Sequence, residues 1–387
     1  MVRFFRNCFE RKENILKPLL GLVLTLAAGV DSLCCTSIII SARANGGRPV
    51  MLKHRDSDCV DNRMAFFTGP RYTFIGLVNS SSEGGEVWTG TNSAGFSIMN
   101  TATYDLKDDD VPSSEMDREG ILMFEVLGTC ATLRDFENYL DTLPKPWGVE
   151  ANFGVIDAHG GAAFYEVNNH SCTKFDVNET PGGCRIVTNF TQTGRIADRK
   201  GVDRYEKALE IYSGRPLSSW TPSDLLHAFS RSGKPILREI TTSAVAIRGV
   251  EAGGRPEHSE MWVLLGYPAA TVAVPLFVSD HDNIPSFLKS SASSRNAQLC
   301  DRSLVLKDLI SKGSLAQEEC ISRCEQVESS VPFERLIERR RKGRLSDSAF
   351  HDRLLKYSDR IYRRFEREFH RYAGKGNRSV VDSDLND

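Results

Sequence analysis

The junction at Cys34-Cys35, between an apolar leader and a strand, constrains this chain more than any other feature. Arg3, Arg6, Arg11, Lys12 and Lys17 give a basic flank, and an uncharged stretch rich in Leu, Val and Ala follows from Pro18 to Val30. That stretch is too short to cross a bilayer as a helix and has the length of a signal-peptide apolar region. Residues 1–34 are therefore expected to be a signal peptide, and the mature protein to be exported, periplasmic or extracellular, without a transmembrane span. A cut between Cys34 and Cys35 puts Cys34 at −1 and Ser32 at −3, both small, as signal peptidase requires. Ala27-Ala28 offers a competing earlier site. Lipidation of either cysteine is a third reading, but the bulky Leu33 stands where such signals carry Gly or Ala.

Past the junction the pattern is strand-rich. Ser37-Ile-Ile-Ile-Ser41 is a short β-branched run and reads as a buried strand. Asn45-Gly46-Gly47 supplies a hairpin turn, because Asn and Gly accept positive φ. A return strand over Pro49–Arg55 then sets residue 35 opposite residues 55 to 56, with Asp58 just beyond the strand end. Further strands are expected at 72–79, 86–90, 96–100, 152–157, 162–167, 184–189, 244–250, 261–265 and 271–278. Helices are expected around 118–129, 132–142, 203–212 and 222–229. The fold class is α+β. The expected organisation is one domain over residues 35–285, a Ser- and Asn-rich linker near 286–294, a helical C-terminal extension over 295–373, and a disordered tail over 374–387.

In the extension, Phe350, Leu354, Tyr357, Ile361, Phe365, Phe369 and Tyr372 recur at three- and four-residue spacing. They make one apolar stripe on a basic helix, expected to dock on the main domain. Asp352, Asp359, Glu366 and Glu368 interrupt its positive face, which argues against nucleic acid or a membrane surface as the partner. The net charge of −2 gives no global signal for either.

A cysteine that begins a mature chain has its own α-amine within reach of its thiol. The amine titrates at about 8, close to the thiol at about 8.5, so one residue can supply both nucleophile and general base. An arginine beside it favours the thiolate, and a carboxylate such as Asp58 can hold the amine in place. Amide donors aimed at the developing negative oxygen complete such a site.

Cys35-Thr36-Ser37 followed by Arg55-Asp56-Ser57-Asp58 resembles the opening of the N-terminal nucleophile hydrolases of the choloylglycine hydrolase and penicillin V acylase group. Acid ceramidase and acyl-coenzyme A:6-aminopenicillanic acid acyltransferase look like relatives. The spacing of Arg55 and Asp58 is that of the group. Gly90-Thr-Asn92-Ser-Ala-Gly95, leading to Asn100, resembles its Gly-x-Asn-x-x-Gly segment, and Val187-Thr188-Asn189 its second asparagine. Asn100 and Asn189 are then the implied oxyanion donors, and Arg204, in Asp203-Arg204-Tyr205, matches a later arginine more weakly. The resemblance covers residues 35 to 280 and implies a four-layer αββα sandwich. It implies an amidohydrolase that cleaves a linear amide C–N bond through an acyl thioester on Cys35, with a small acyl amide as substrate. An acyltransferase and a non-catalytic exported binding protein or lipoprotein are the alternatives. Asp56 stands where the bile-salt and penicillin enzymes often carry Asn, so the substrate does not transfer.

Other chemistries fit poorly. There is no Gly-x-Ser-x-Gly elbow, no His-Glu-x-x-His and no phosphate or dinucleotide loop, so no cofactor is implied. Ser286-Phe-Leu-Lys289 has the Ser-x-x-Lys spacing but no Lys-Thr-Gly follows it. Ten cysteines without a CxxC pair suit neither a disulfide scaffold nor a zinc site. Cys172 and Cys184, flanking Pro181-Gly182-Gly183, are a candidate disulfide pair. Cys320 and Cys324 lie one helical turn apart, a spacing that puts two side chains on one face. His54, beside Arg55, reads as a strand residue. Oligomeric state is left open.

Overall fold

A computed structural model describes residues 35–106, 111–215, 219–292 and 294–383, with side chains described as far as residue 374. The expected signal peptide, the cut after Cys34 and residues 384–387 of the expected tail lie outside the described residues. No helix among the described residues is long and apolar enough to cross a membrane.

Thirteen strands form two antiparallel sheets among the described residues. They are β1 (Thr36–Ile40), β2 (Val50–Asp56), β3 (Asn62–Thr68), β4 (Thr73–Asn79), β5 (Thr89–Asn92), β6 (Ser97–Ala102) and β7 (Ala151–Ile156). They continue as β8 (Ala162–Val167), β9 (Cys172–Asp176), β10 (Cys184–Val187), β11 (Thr241–Arg248), β12 (Glu260–Leu265) and β13 (Val274–Leu276). One sheet runs β10-β1-β2-β11-β12-β13 and the other β3-β4-β5-β6-β7-β8-β9. The sheets meet through apolar side chains such as Ile39, Met99, Ile156 and Phe164. The fit is tight enough that a Cβ on Gly154 would lie 2.7 Å from Met99 and 3.2 Å from Ile39 across the gap.

Helices cover both outer faces. α1 (Glu119–Thr129) and α2 (Leu133–Thr142) bury Leu122, Met123, Val126 and Phe136 against Phe74, Ile98 and Phe153 of the seven-stranded sheet. On the six-stranded sheet lie α3 (Val202–Gly214) and α4 (Pro222–Leu225), the latter continued by a π-helical turn over Leu226–Ser230. The result is the four-layer αββα sandwich. Thr132 and Thr221 each open their helices with a capping box, Asp135 and Asp224 returning the bond, which halts the strand-rich chain at a defined residue.

The C-terminal region is α5 (Gln298–Ser311), α6 (Gln317–Ser329), α7 (Phe333–Arg341) and α8 (Asp347–Ser383). Phe350, Leu354, Ile361, Phe365, Phe369 and Tyr372 are all buried, and Tyr357 packs beside them. The stripe thus does what its spacing predicts: it docks α8. Its cluster is continuous with the core of the six-stranded sheet, so the extension shares a core with the domain it follows. α8 itself runs through Ser383 into the stretch read as a disordered tail.

Candidate active site

β1 and β2 form the hairpin that the turn residues predict. Thr36 pairs with His54 and Ile40 with Val50, so continuing the ladder by one residue sets Cys35 opposite Arg55. Cys35 is buried, and its Sγ lies 4.0 Å from the carbonyl oxygen of Asp56 at the end of β2. Because strand side chains alternate, Cys35, Ser37, Lys53 and Arg55 share the face that looks toward the second sheet. There Ser37 Oγ meets Thr101 Oγ1 of β6 at 2.8 Å.

Arg55 is held by neutral oxygens. Its Nη1 donates to Asn62 Oδ1 at 2.8 Å and to Thr242 Oγ1 at 3.3 Å, its Nη2 to Asn79 Oδ1 at 2.9 Å, and the guanidinium lies 5.2 Å from the Trp88 ring centre. Asn62 and Asn79 are cross-strand partners in the β3–β4 ladder, so one pairing register presents both amide oxygens to one guanidinium. Burial lowers the Arg55 pKa, while Cys35, then Cys59 and Asp58, work to raise it.

Arg204 approaches from the opposite side of β1. It donates through Nη1 to the Cys35 carbonyl oxygen and to Thr36 Oγ1, and through Nη2 to Asn189 Oδ1 at 2.8 Å. Gly201, the residue before α3, permits this. Its φ is +74°, and a Cβ there would sit 2.0 Å from Arg204 Nη2. The weakest sequence match is thus the arginine whose contacts include the Cys35 backbone.

The remaining candidates divide. Asn189 is fully buried beyond β10, and its Nδ2 donates to Ala102 O at 2.6 Å. Asn100, on β6, accepts at Oδ1 from Lys53 Nζ. Asp58 is exposed past β2, where its Oδ1 accepts from the Ser57 hydroxyl at 3.4 Å. Asn92 of the glycine-rich segment serves the scaffold. Its Nδ2 donates to Leu127 O and Cys130 O at 2.9 and 2.7 Å, and its Oδ1 accepts from the amides of Ala94 and Phe96 at 3.0 Å.

On the opposite face of β2, His54 Nε2 lies 3.2 Å from Thr241 Oγ1, and burial pushes the imidazole down to about 4. It stays neutral and away from the Cys35 face, a strand residue as expected. Asp56 points the same way, into Arg238 at 2.8 Å and Thr241 at 2.7 Å.

The structure corrects one expectation. Cys172, on β9 at the edge of one sheet, and Cys184, on β10 at the edge of the other, are both free thiols. The Pro181-Gly182-Gly183 turn carries the chain from one sheet to the other, so flanking a turn did not bring the pair together. Cys320 and Cys324 are free and buried side by side on α6. Among the described residues no three His, Cys, Asp or Glu side chains converge as metal ligands would.

Sequence reasoning passed over Asn62, Asn79, Thr242 and Lys53. For Lys53 a signal existed, since a lysine two residues before Arg55 in the same expected strand shares the arginine's face.

No protein-family model matches the chain, and no curated protein matches it. The fold has solved neighbours. It is similar to an N-acylethanolamine-hydrolyzing acid amidase ortholog from Caenorhabditis elegans, at 15% identity and a TM-score of 0.44 over 55% of this chain and 92% of that one. It is similar to a mutant conjugated bile acid hydrolase from Clostridium perfringens, at 10% identity and a TM-score of 0.42 over 64% of this chain and 93% of that one. A penicillin V acylase from Agrobacterium tumefaciens is likewise similar, at 15% identity and a TM-score of 0.41 over 64% and 87% of the two chains.

Proposed function

We propose that this chain is an exported amidohydrolase whose nucleophile, Cys35, becomes the first residue on removal of residues 1–34. The observation that carries the reading is the pairing of Cys35 with Arg55 across the β1–β2 hairpin. Arg55 is 4% exposed, and its hydrogen-bond partners among the described residues are neutral oxygens. A buried guanidinium without a carboxylate is costly unless another charge meets it, and in this reading the thiolate of Cys35 is that charge.

In the reaction the thiolate attacks the carbonyl carbon of a linear amide. The α-ammonium gives its proton to the departing amine as the C–N bond breaks, leaving an acyl thioester on Cys35. Water then adds to the thioester carbon, the amine takes its proton, and the carboxylic acid leaves as the thiolate returns. Asn100 and Asn189 are assigned to the oxyanion, Asp58 to the amine, and Arg204 to the backbone of the nucleophile, whose carbonyl it already grips.

The test is intact mass and N-terminal sequencing of the exported protein, followed by turnover of a panel of acyl amides. Cys35 should come first with a free amine, and Cys35→Ala should abolish turnover of every amide while keeping the fold. A chain starting at Cys34, a lipidated cysteine, or turnover retained in Cys35→Ala would each defeat the reading. Transfer of the acyl group to an added amine in preference to water would make the enzyme an acyltransferase.

A further inference from the structure

β2 carries a second buried cation on the Cys35 face. Lys53 precedes Arg55 by two residues, which points both side chains the same way, and the β1 ladder pairs Lys53 with Ser37. Lys53 is 2% exposed, and its Nζ donates to Trp88 O at 2.7 Å and to Asn100 Oδ1. Both acceptors are neutral, as are those of Arg55. Two buried cations therefore stand together, and the ladder places Cys35 beside them. Burial pushes the Lys53 ammonium down to about 7, Cys35 pulls it up, and Arg55 lowers it again. For both cations Cys35 is the strongest influence favouring the charged form.

The bond to Asn100 adds a constraint. An ammonium only donates, so it fixes the oxygen end of the Asn100 amide and turns Nδ2 away from itself. A charge-assisted bond to an amide oxygen also leaves the amide protons more acidic, which strengthens them as donors.

We propose that Lys53 is a positioning residue of the Cys35 site, a buried counter-charge that with Arg55 favours the thiolate and holds the Asn100 amide in one orientation. The proposal rests on the reading of Cys35 as nucleophile, and its test needs no substrate.

The test is the second-order rate of Cys35 alkylation in the processed full chain at about pH 6.5, where Lys53 still carries most of its charge. Peptide mass spectrometry confirms the site, and iodoacetamide is compared with the anionic iodoacetate. Lys53→Met removes donor and charge, Lys53→Gln keeps a donor without charge, and Lys53→Arg keeps both. Met and Gln should each slow iodoacetamide about tenfold and iodoacetate more than that, whereas Arg should recover most of both rates. A merely loosened site would do the reverse, speeding both reagents by exposing the thiol. Wild-type rates in Lys53→Gln would overturn the proposal, and that variant decides alone if Lys53→Met fails to fold. Normal alkylation of wild-type Cys35 with no amide turnover would defeat the hydrolase reading and leave this proposal standing.

Discussion

Lys53 and Arg55 differ in what burial does to them, and stability should show it. An arginine keeps its charge at any pH a protein survives, whereas Lys53 falls from an ordinary 10.5 to about 7 in the fold. Below about pH 7 the lysine is charged both folded and unfolded, so the cost of burying that charge is present in full. Between about 7 and 10.5 the unfolded chain binds more protons than the folded one, so this group's contribution to stability rises with pH. The urea midpoint of the wild type, measured relative to Lys53→Met, should therefore climb from pH 7 to pH 10. A constant gap would mean that Lys53 titrates normally. Arg55 should behave as a fixed charge. Arg55→Met should slow Cys35 alkylation wherever the thiol is still partly protonated and move the alkylation profile to higher pH, and Asn62→Ala, which removes one of the oxygens holding the guanidinium, should do so partially. It should also cost about 1–3 kcal/mol of stability by urea unfolding, because the bond it breaks is to a charged group.

At the scale of elements, the strands that sequence could place are those whose neighbours bury them. β1, β2, β8 and β12 are buried along their whole length; β1 was announced by its apolar run and β2 by the turn before it. β3 and β9 went unseen because they are the two edges of the seven-stranded sheet. β9, Cys-Thr-Lys-Phe-Asp, is exposed or half-buried throughout, the polar character that blunts a sheet edge. Missing β3 hid Asn62, and with it the reason Arg55 stays where it is. The hairpin register was legible because Asn45-Gly46-Gly47 fixed where the chain turns. The Arg204 contact was not, because it depends on how α3 meets β1, a long-range packing event with no local pattern. Gly201 tests that meeting. Gly201→Ala puts a Cβ into the guanidinium and an L-residue at positive φ, which should cost about 1–3 kcal/mol. It should also lower amide turnover by freeing the Cys35 backbone, measured as kcat against KM. An unchanged kcat would remove Arg204 from the site.

Across the whole molecule, the C-terminal helices are tied to the sandwich by charge as well as by the α8 stripe. Arg231, which follows the π-helical turn, donates from Nη2 to Glu328 Oε1 at 2.8 Å and from Nη1 to Oε2 at 3.1 Å. It also donates to the carbonyls of Pro268 and Thr271 at 3.0 and 2.8 Å. Glu328, on α6, accepts in addition from the Ala273 amide at 2.7 Å and meets His227 Nε2 at 2.7 Å. Burial alone would raise this carboxylate, but the Arg231 charge and these hydrogen bonds outweigh it and bring the group down to about 2. A carboxylate with a lowered pKa stabilises the fold above its unfolded value and loses that contribution as pH falls toward its folded value. The window here runs from about pH 4.5 down to about 2, and the contribution is on the order of 3 kcal/mol. Glu328→Gln should therefore be less stable than the wild type at pH 7, since it leaves Arg231 buried without its counter-charge. The deficit should shrink as both proteins are taken below pH 4, because acid removes from the wild type what the substitution has already removed. Fluorescence-monitored urea unfolding of the two chains at pH 7 and pH 3 measures both terms. A deficit that does not change with pH would mean that the fold does not lower the Glu328 carboxylate, and no deficit at pH 7 would mean that the helices are held by the apolar stripe alone.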